Sequence, residues 1–145
     1  MISGDEQSAL VDAHNGWRAR FNTPSLVWDD TLATLAQDWA DQLAASGQFD
    51  HRPDNQFGEN IFMGTADAFP ANAVIDDWGG EVANFDMASL TCAPDATCGH
   101  FTQVVWSQTA RVGCGKSTGD DGNDYWVCNY DPPGNMQGES PFATA

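Results

Sequence analysis

Apolar residues recur at helical spacing in three stretches of the 145-residue chain. Around Glu6 to Arg20, the residues Leu10, Ala13, His14, Trp17 and Phe21 fall at spacings of three and four, which gathers them on one face of a helix and sets His14 inside an apolar surface. A second stripe, Leu32, Leu35, Ala36, Trp39 and Leu43, is bracketed by Asp29 or Asp30, whose carboxylates suit an N-cap, and by Gly47, which suits a helix end. A third runs from Ala71 to Phe85 through Val74, Ile75, Trp78, Val82 and Phe85, although Gly79-Gly80 weakens its middle. Glu81 borders that stripe beside Val74.

The last third changes character. Val112 to Lys116 and Tyr125 to Tyr130 read as two strands around Gly119-Asp120-Asp121-Gly122-Asn123, a run that tolerates turn geometry. Asp121 lies midway between Cys114 and Cys128, so a hairpin turning there sets the two thiols opposite each other, and they are expected to pair. Cys92 then pairs with Cys98 around a short closure. By chain entropy the shorter and longer bridges restrict the unfolded state by about 2 and 3 kcal/mol. Disulfides imply oxidising surroundings, hence export. From Asp131 onward, Pro132, Pro133, Gly134, Gly138 and Pro141 exclude helix and central strand and predict a surface wrap.

Charge narrows the partners. Five basic residues against 21 acidic ones give a net charge of −16, a field that repels phosphate backbones and makes nucleic-acid binding unsuited. No apolar run is long enough to span a bilayer, so an integral membrane protein is not expected. Met1-Ile2-Ser3-Gly4-Asp5 lacks the basic and apolar regions of a secretion signal, as expected at the start of a mature form. The length suits one domain over residues 1–145, expected as a monomer.

The chemistry gathers on a few positions. In Cys98-Gly99-His100-Phe101-Thr102-Gln103-Val104-Val105-Trp106, Gly99 allows a tight turn and His100 opens a short helix. On it His100, Gln103 and Ser107 share one side, while the apolar residues anchor the other. His51 stands eight residues before Glu59, and Glu81 closes Trp-Gly-Gly-Glu. Two imidazoles and two carboxylates from separate elements, brought to one hollow, would offer nitrogen and oxygen ligands to a divalent ion. The same glutamates equally suit a plainer role, satisfying buried backbone donors.

These residues carry a family likeness. The run from Cys98 to Trp106, followed by Val112-Gly113-Cys114 and then by Tyr125-Trp126-Val127-Cys128-Asn129-Tyr130-Asp131-Pro132-Pro133-Gly134-Asn135, resembles the two signature motifs of the CAP superfamily. That superfamily comprises cysteine-rich secretory proteins, antigen five and plant pathogenesis-related one proteins. The resemblance extends through His14-Asn15 with Arg18, His51, Gly58-Glu59-Asn60, and Trp78 with Glu81. It implies an α+β fold: a three-layer α-β-α sandwich with a small, largely antiparallel sheet, stapled by disulfides. It also implies a cavity tetrad of His51, Glu59, Glu81 and His100. In it His51 and His100 bind a divalent metal ion, zinc foremost, the glutamates orient the rings, and Gln103 lines the same pocket. Plant members commonly hold six cysteines where this chain has four, Cys92, Cys98, Cys114 and Cys128, so one staple is missing.

The function this implies is a secreted binding module for a sterol, fatty acid or other apolar ligand, in extracellular defence or signalling. Its ligand would lie between helices or under the loop from Asn84 to Leu90, where Phe85, Met87 and Leu90 interleave with polar residues. The alternatives are a metal-dependent hydrolase or protease with Glu59 or Glu81 as general base, or a structural interaction domain. Neither a His-Glu-x-x-His helix nor a Gly-x-Ser-x-Gly elbow supports the hydrolase. His14 is expected as a hydrogen-bonded core residue, and the acidic turn from Gly119 to Asp124 as a solvated hairpin loop rather than a calcium site.

Overall fold

Helix α1 (Gly4–Arg20) starts where Ser3 and Glu6 cap each other's backbone N–H groups, a reciprocal box that satisfies two donors at the helix start. Helix α2 (Asp30–Ser46) is capped by Asp29, whose carboxylate accepts from Leu32 N–H at 2.9 Å. It ends at Gly47, left-handed at φ 72°, whose N–H reaches the Leu43 carbonyl. The third helix is shorter than its apolar stripe predicts. Helix α3 (Ala71–Gly79) gives way to a 3₁₀ turn over Gly80–Asn84, and Phe85 opens a short strand, Phe85–Asp86. The glycine pair accounts for the break: a Cβ on Gly79 would lie 2.2 Å from the Trp17 ring, so close packing against α1 demands glycine where the helix can least afford one. Helix α4 (Gly99–Val105) carries His100 and Gln103 but ends before Ser107, so only the first two share it.

The structure is a computed structural model and describes residues 2–142. Strands β1 (Val27–Trp28), β5 (Arg111–Thr118), β6 (Asn123–Asp131) and β2 (Gly58–Thr65) form one sheet in that order. It is antiparallel except where β1 runs parallel to β5, which is the largely antiparallel sheet that the resemblance implies. Strands β3 (Phe85–Asp86) and β4 (Thr91–Cys92) make a separate small ribbon. Cys114 faces Cys128 across the β5–β6 pair and is bonded to it, and Cys92 is bonded to Cys98, the pairings expected from the hairpin.

Two cores flank the main sheet. On one face Leu10, Val74, Trp78, Phe101, Val104 and Trp126 bring α1, α3 and α4 together. On the other, Ala36, Ala40 and Leu43 of α2 pack on Ile61, Tyr125 and Val127. This is the α-β-α layering. Helix α2 approaches β5 so closely that a Cβ on Gly113 would lie 2.2 Å from Ala33 N, and one on Gly115 would lie 2.4 Å from Gln37 Cα. The segment after Asp131 wraps the surface as expected and is pinned to α4. Gly134 N–H donates to Gln103 Oε1, Asn135 Nδ2 donates to the Gly99 carbonyl, and Ser107 N–H donates to the Pro141 carbonyl.

Candidate functional site: two histidine–carboxylate pairs

His51 lies in the segment between α2 and β2, and Glu59 is the second residue of β2. Glu59 Oε1 sits 2.7 Å from His51 Nδ1 and also accepts the Arg52 N–H at 3.0 Å, while Oε2 accepts from Asn55 Nδ2. The carboxylate is nearly buried, its side chain 5% exposed, whereas the imidazole is 63% exposed. A buried anion beside an exposed ring raises the His51 pKa above the usual histidine value, chiefly through the hydrogen bond to Glu59 and against the desolvation that opposes it. Arg52 ties this segment to α2 through the Leu35 carbonyl and Asp38, in a region where the chain has no disulfide.

The second pair is built on α4. Cys98, at the N-cap, offers no side-chain cap, so the first backbone donors of α4 need an acceptor from elsewhere. Glu81 supplies it from the 3₁₀ turn: Oε1 accepts His100 N–H at 2.9 Å and Phe101 N–H at 3.1 Å, while Oε2 lies 2.7 Å from His100 Nδ1. One carboxylate therefore caps the helix and orients the ring. The His100 ring also lies parallel to Trp78, with centroids 6.1 Å apart and 6° between planes.

Both pairs share one chemical feature. The carboxylate accepts from Nδ1–H, so that in the neutral ring Nε2 carries the free lone pair, the arrangement in which a carboxylate behind an imidazole prepares it for a metal ion. Among the described residues, no group of three or more His, Cys, Asp and Glu side chains is gathered to hold a metal ion.

The expected site residues divide as follows. A cavity of about 260 Å³ is lined by His51, Glu59 and Gln103, with Gly58, Gly134 and Asn135 among its other walls. His100 and Glu81 stand outside that lining, although His100 is three residues from Gln103 on the same short helix. Gln103 is fixed rather than free: it is 1% exposed, accepts Gly134 N–H, and donates to Thr109 Oγ1. Of the loop expected as an apolar lip, Phe85 packs on Phe101, while Met87 and Leu90 are exposed.

Sequence reasoning missed the residues between the pairs. Asn60, next to Glu59, is buried, and its Nδ2 donates to the His100 carbonyl at 3.2 Å and to Tyr130 Oη at 3.3 Å. A polar residue flanked by Glu59 and the apolar Ile61-Phe62-Met63 was the available signal, but it needed β2 to be recognised as a strand. Tyr130 Oη also reaches His14 Nε2, and His14 Nδ1 lies 2.8 Å from the Leu10 carbonyl. His14 is thus a hydrogen-bonded core residue, as its place on the apolar face predicts.

A layered α-β-α fold with two histidine–carboxylate pairs around one short helix defines a recognisable class. The profile of the cysteine-rich secretory protein family, CAP, matches residues 11–130, and the chain belongs to that family. Pathogenesis-related protein 1A of Nicotiana tabacum is 43% identical over 138 residues, which cover 95% of this chain and 82% of that one. The pathogenesis-related protein of PR-1 type from Sambucus nigra is 36% identical over 141 residues, 97% of this chain and 84% of that one. Among solved structures, NaASP2 with Zn2+ superposes at a TM-score of 0.80, with 23% identity, over 99% of this chain and 88% of that one, a likeness of fold.

Proposed function

We propose that the chain is an extracellular CAP-domain binding protein that holds a divalent metal ion, zinc foremost, with Nε2 of His51 and of His100, and takes up an apolar ligand between its helices. The observation that carries this reading is the shared geometry of the two pairs, in which each glutamate takes Nδ1 and leaves Nε2 for a ligand. With two protein nitrogens the remaining coordination positions fall to water or to a bound molecule, and affinity is expected to be lower than at a closed four-ligand site. Bound there, the ion would supply Lewis acidity and a fixed positive charge in a strongly acidic protein. A zinc-bearing relative of the same fold is in keeping with this assignment.

For the apolar ligand, the groove between α1 and α3 offers about 520 Å³ over Ala9, Ala13, Gly16 and Trp17. Small side chains next to an indole offer a hydrocarbon chain an apolar strip, with Arg20 stacked over the Trp17 ring and Asp12, Asn72 and Asp76 as the polar part of the lining. A hydrolase is the weaker reading, because Glu59 and Glu81 spend both oxygens on ring nitrogens, backbone N–H groups and Asn55, and neither presents an unengaged oxygen to a water. Export is supported by the two disulfides.

Zinc titration of the wild type against the His51→Ala, His100→Ala double variant tests the metal reading: one site is expected to vanish, and unchanged uptake refutes it. Native mass spectrometry after exposure to sterols and to fatty acids tests the ligand. A retained lipid supports the binding module, and none retained points to a structural domain.

A further inference from the structure

The two histidine–carboxylate pairs stand on different elements, and a site that uses both needs something to fix their separation. Alternation along β2 sends Glu59 and Asn60 to opposite faces of the sheet, so the residue after Glu59 points toward the layer that contains α4. There Asn60 Nδ2 donates to the backbone carbonyl of His100 itself, at 3.2 Å. The amide orientation is set by its surroundings: the carbonyl can only accept, so nitrogen rather than oxygen must face it.

Asn60 is held in turn. Its Nδ2 also donates to Tyr130 Oη at 3.3 Å, and the Tyr130 hydroxyl donates to His14 Nε2 at 2.7 Å, because His14 Nδ1–H is committed to the Leu10 carbonyl at 2.8 Å. Asn60, Tyr130 and His14 are 2%, 0% and 0% exposed, so water cannot substitute for any member of the chain. A hydrogen-bonded line thus runs from α1 through the sheet to the backbone of α4.

We propose that Asn60, braced by Tyr130 and His14, is a positioning residue that sets His100 relative to the His51–Glu59 pair. It touches neither imidazole; it acts through the strand residue before it and the backbone of the residue it binds. The proposal rests on the metal reading above for its consequence, but not for its geometry.

The test uses the whole protein with zinc alone as the probe, together with NMR of the histidine ring Cε1–H signals without metal. Asn60→Asp replaces an amide with two N–H donors by a carboxyl group of nearly the same shape that can serve at most one of the two acceptors, and Tyr130→Phe removes the brace while keeping the ring. In Asn60→Asp, zinc affinity is expected to fall about tenfold or more, the range for residues that orient metal ligands. The His100 signal should shift while that of His51 stays. A purely structural role would lower the melting temperature yet leave both signals in place well below it. If Asn60→Asp does not fold, Tyr130→Phe is expected to give the same pattern in weaker form. Folded variants with unchanged zinc affinity and an unchanged His100 signal overturn the proposal. Should the wild type take up no zinc, the metal reading fails by itself, and the metal-free His100 signal still decides: displaced in the variants it supports Asn60, unmoved it does not.

Discussion

Tyr130 donates its hydroxyl hydrogen bond to Nε2 of His14 across 2.7 Å, with both side chains fully buried. The bond requires a neutral imidazole. Burial, aided by the nearby Arg18 charge and opposed by the Leu10 carbonyl, lowers the His14 pKa from 6.5 to about 4. Between those values the unfolded chain binds a proton that the folded chain refuses, so stability falls as the pH drops through that window. At 1.36 kcal/mol per pKa unit the loss approaches about 3 kcal/mol near pH 4. Urea denaturation at pH 7, 5.5 and 4 is expected to show it, and a His14→Leu, Tyr130→Phe variant should lose most of that slope. A wild-type stability flat across the window would contradict the neutral buried assignment.

His51 has the opposite sign. Its pKa is raised, chiefly by the hydrogen bond to Glu59, so the charged pair favours the fold fully below the unfolded value near 6.5. That contribution fades as the pH rises through the folded value. In Glu59→Gln the ring loses its anion and its pKa is expected to return to the ordinary range or below. Proton NMR titration of His51 in the two proteins reads this directly, and equal pKa values would remove Glu59 as the cause.

Both histidines illustrate how far the sequence reaches. The position of His14 on the stripe of Leu10, Ala13 and Trp17 was enough to place it in the core, because helical spacing alone decides which way it faces. Helix α2 was legible to within a residue, since Asp29 and Gly47 are local signals that act through their own backbone. Helix α3 was not, because the requirement for Gly79 comes from Trp17, a residue 62 positions earlier whose contact no local pattern announces. Strand β2 escaped for a related reason: it is buried on part of both faces and lacks a clean alternation, and its register is set by pairing with β6. Residue type alone singled out His51, Glu59, Glu81 and His100, the family resemblance added the expectation of one shared cavity, and their division into a His51–Glu59 and a His100–Glu81 pair needed the fold. That Glu81 also caps α4 follows from the missing side-chain cap at Cys98, which is a fact of three-dimensional structure.

Glycines separate two kinds of position. Gly113 lies under the α2 backbone, where an added Cβ would come within 2.2 Å of Ala33 N and 2.5 Å of the Asp29 carbonyl oxygen, groups that cannot swing aside. Gly113→Ala is expected to cost about 1–3 kcal/mol by forcing α2 off the sheet. Gly16 sits within α1 with nothing inside 4 Å of an added Cβ, so Gly16→Ala should raise stability by about 0.5–1 kcal/mol. Because Gly16 lines the α1–α3 groove, the same variant should also reduce uptake of a fatty acid if that groove is the ligand site. Thermal and urea unfolding of the two variants should move in opposite directions.

Arg18 carries the largest single polar load in the core. Its guanidinium donates to the carbonyls of Val104, Trp106 and Thr109 at 3.1, 2.9 and 2.8 Å, and its Nε donates to the Pro24 carbonyl. No carboxylate pairs with it among the described residues, and burial lowers its pKa to about 10, which still leaves it charged at neutral pH. Four acceptors from three segments therefore depend on one planar fork, and they include the carbonyls that close α4. Arg18→Met keeps the length and apolar stem but strands those acceptors, at an expected cost of about 3–5 kcal/mol. Arg18→Lys restores charge without the fork and should recover only part of it, since an ammonium cannot span four carbonyls so arranged. Hydrogen exchange should localise the damage, with α4 and the segment 106–109 losing protection before α2 does. Equal stability of the lysine variant and the wild type would show that charge, not the fork, is what this position requires.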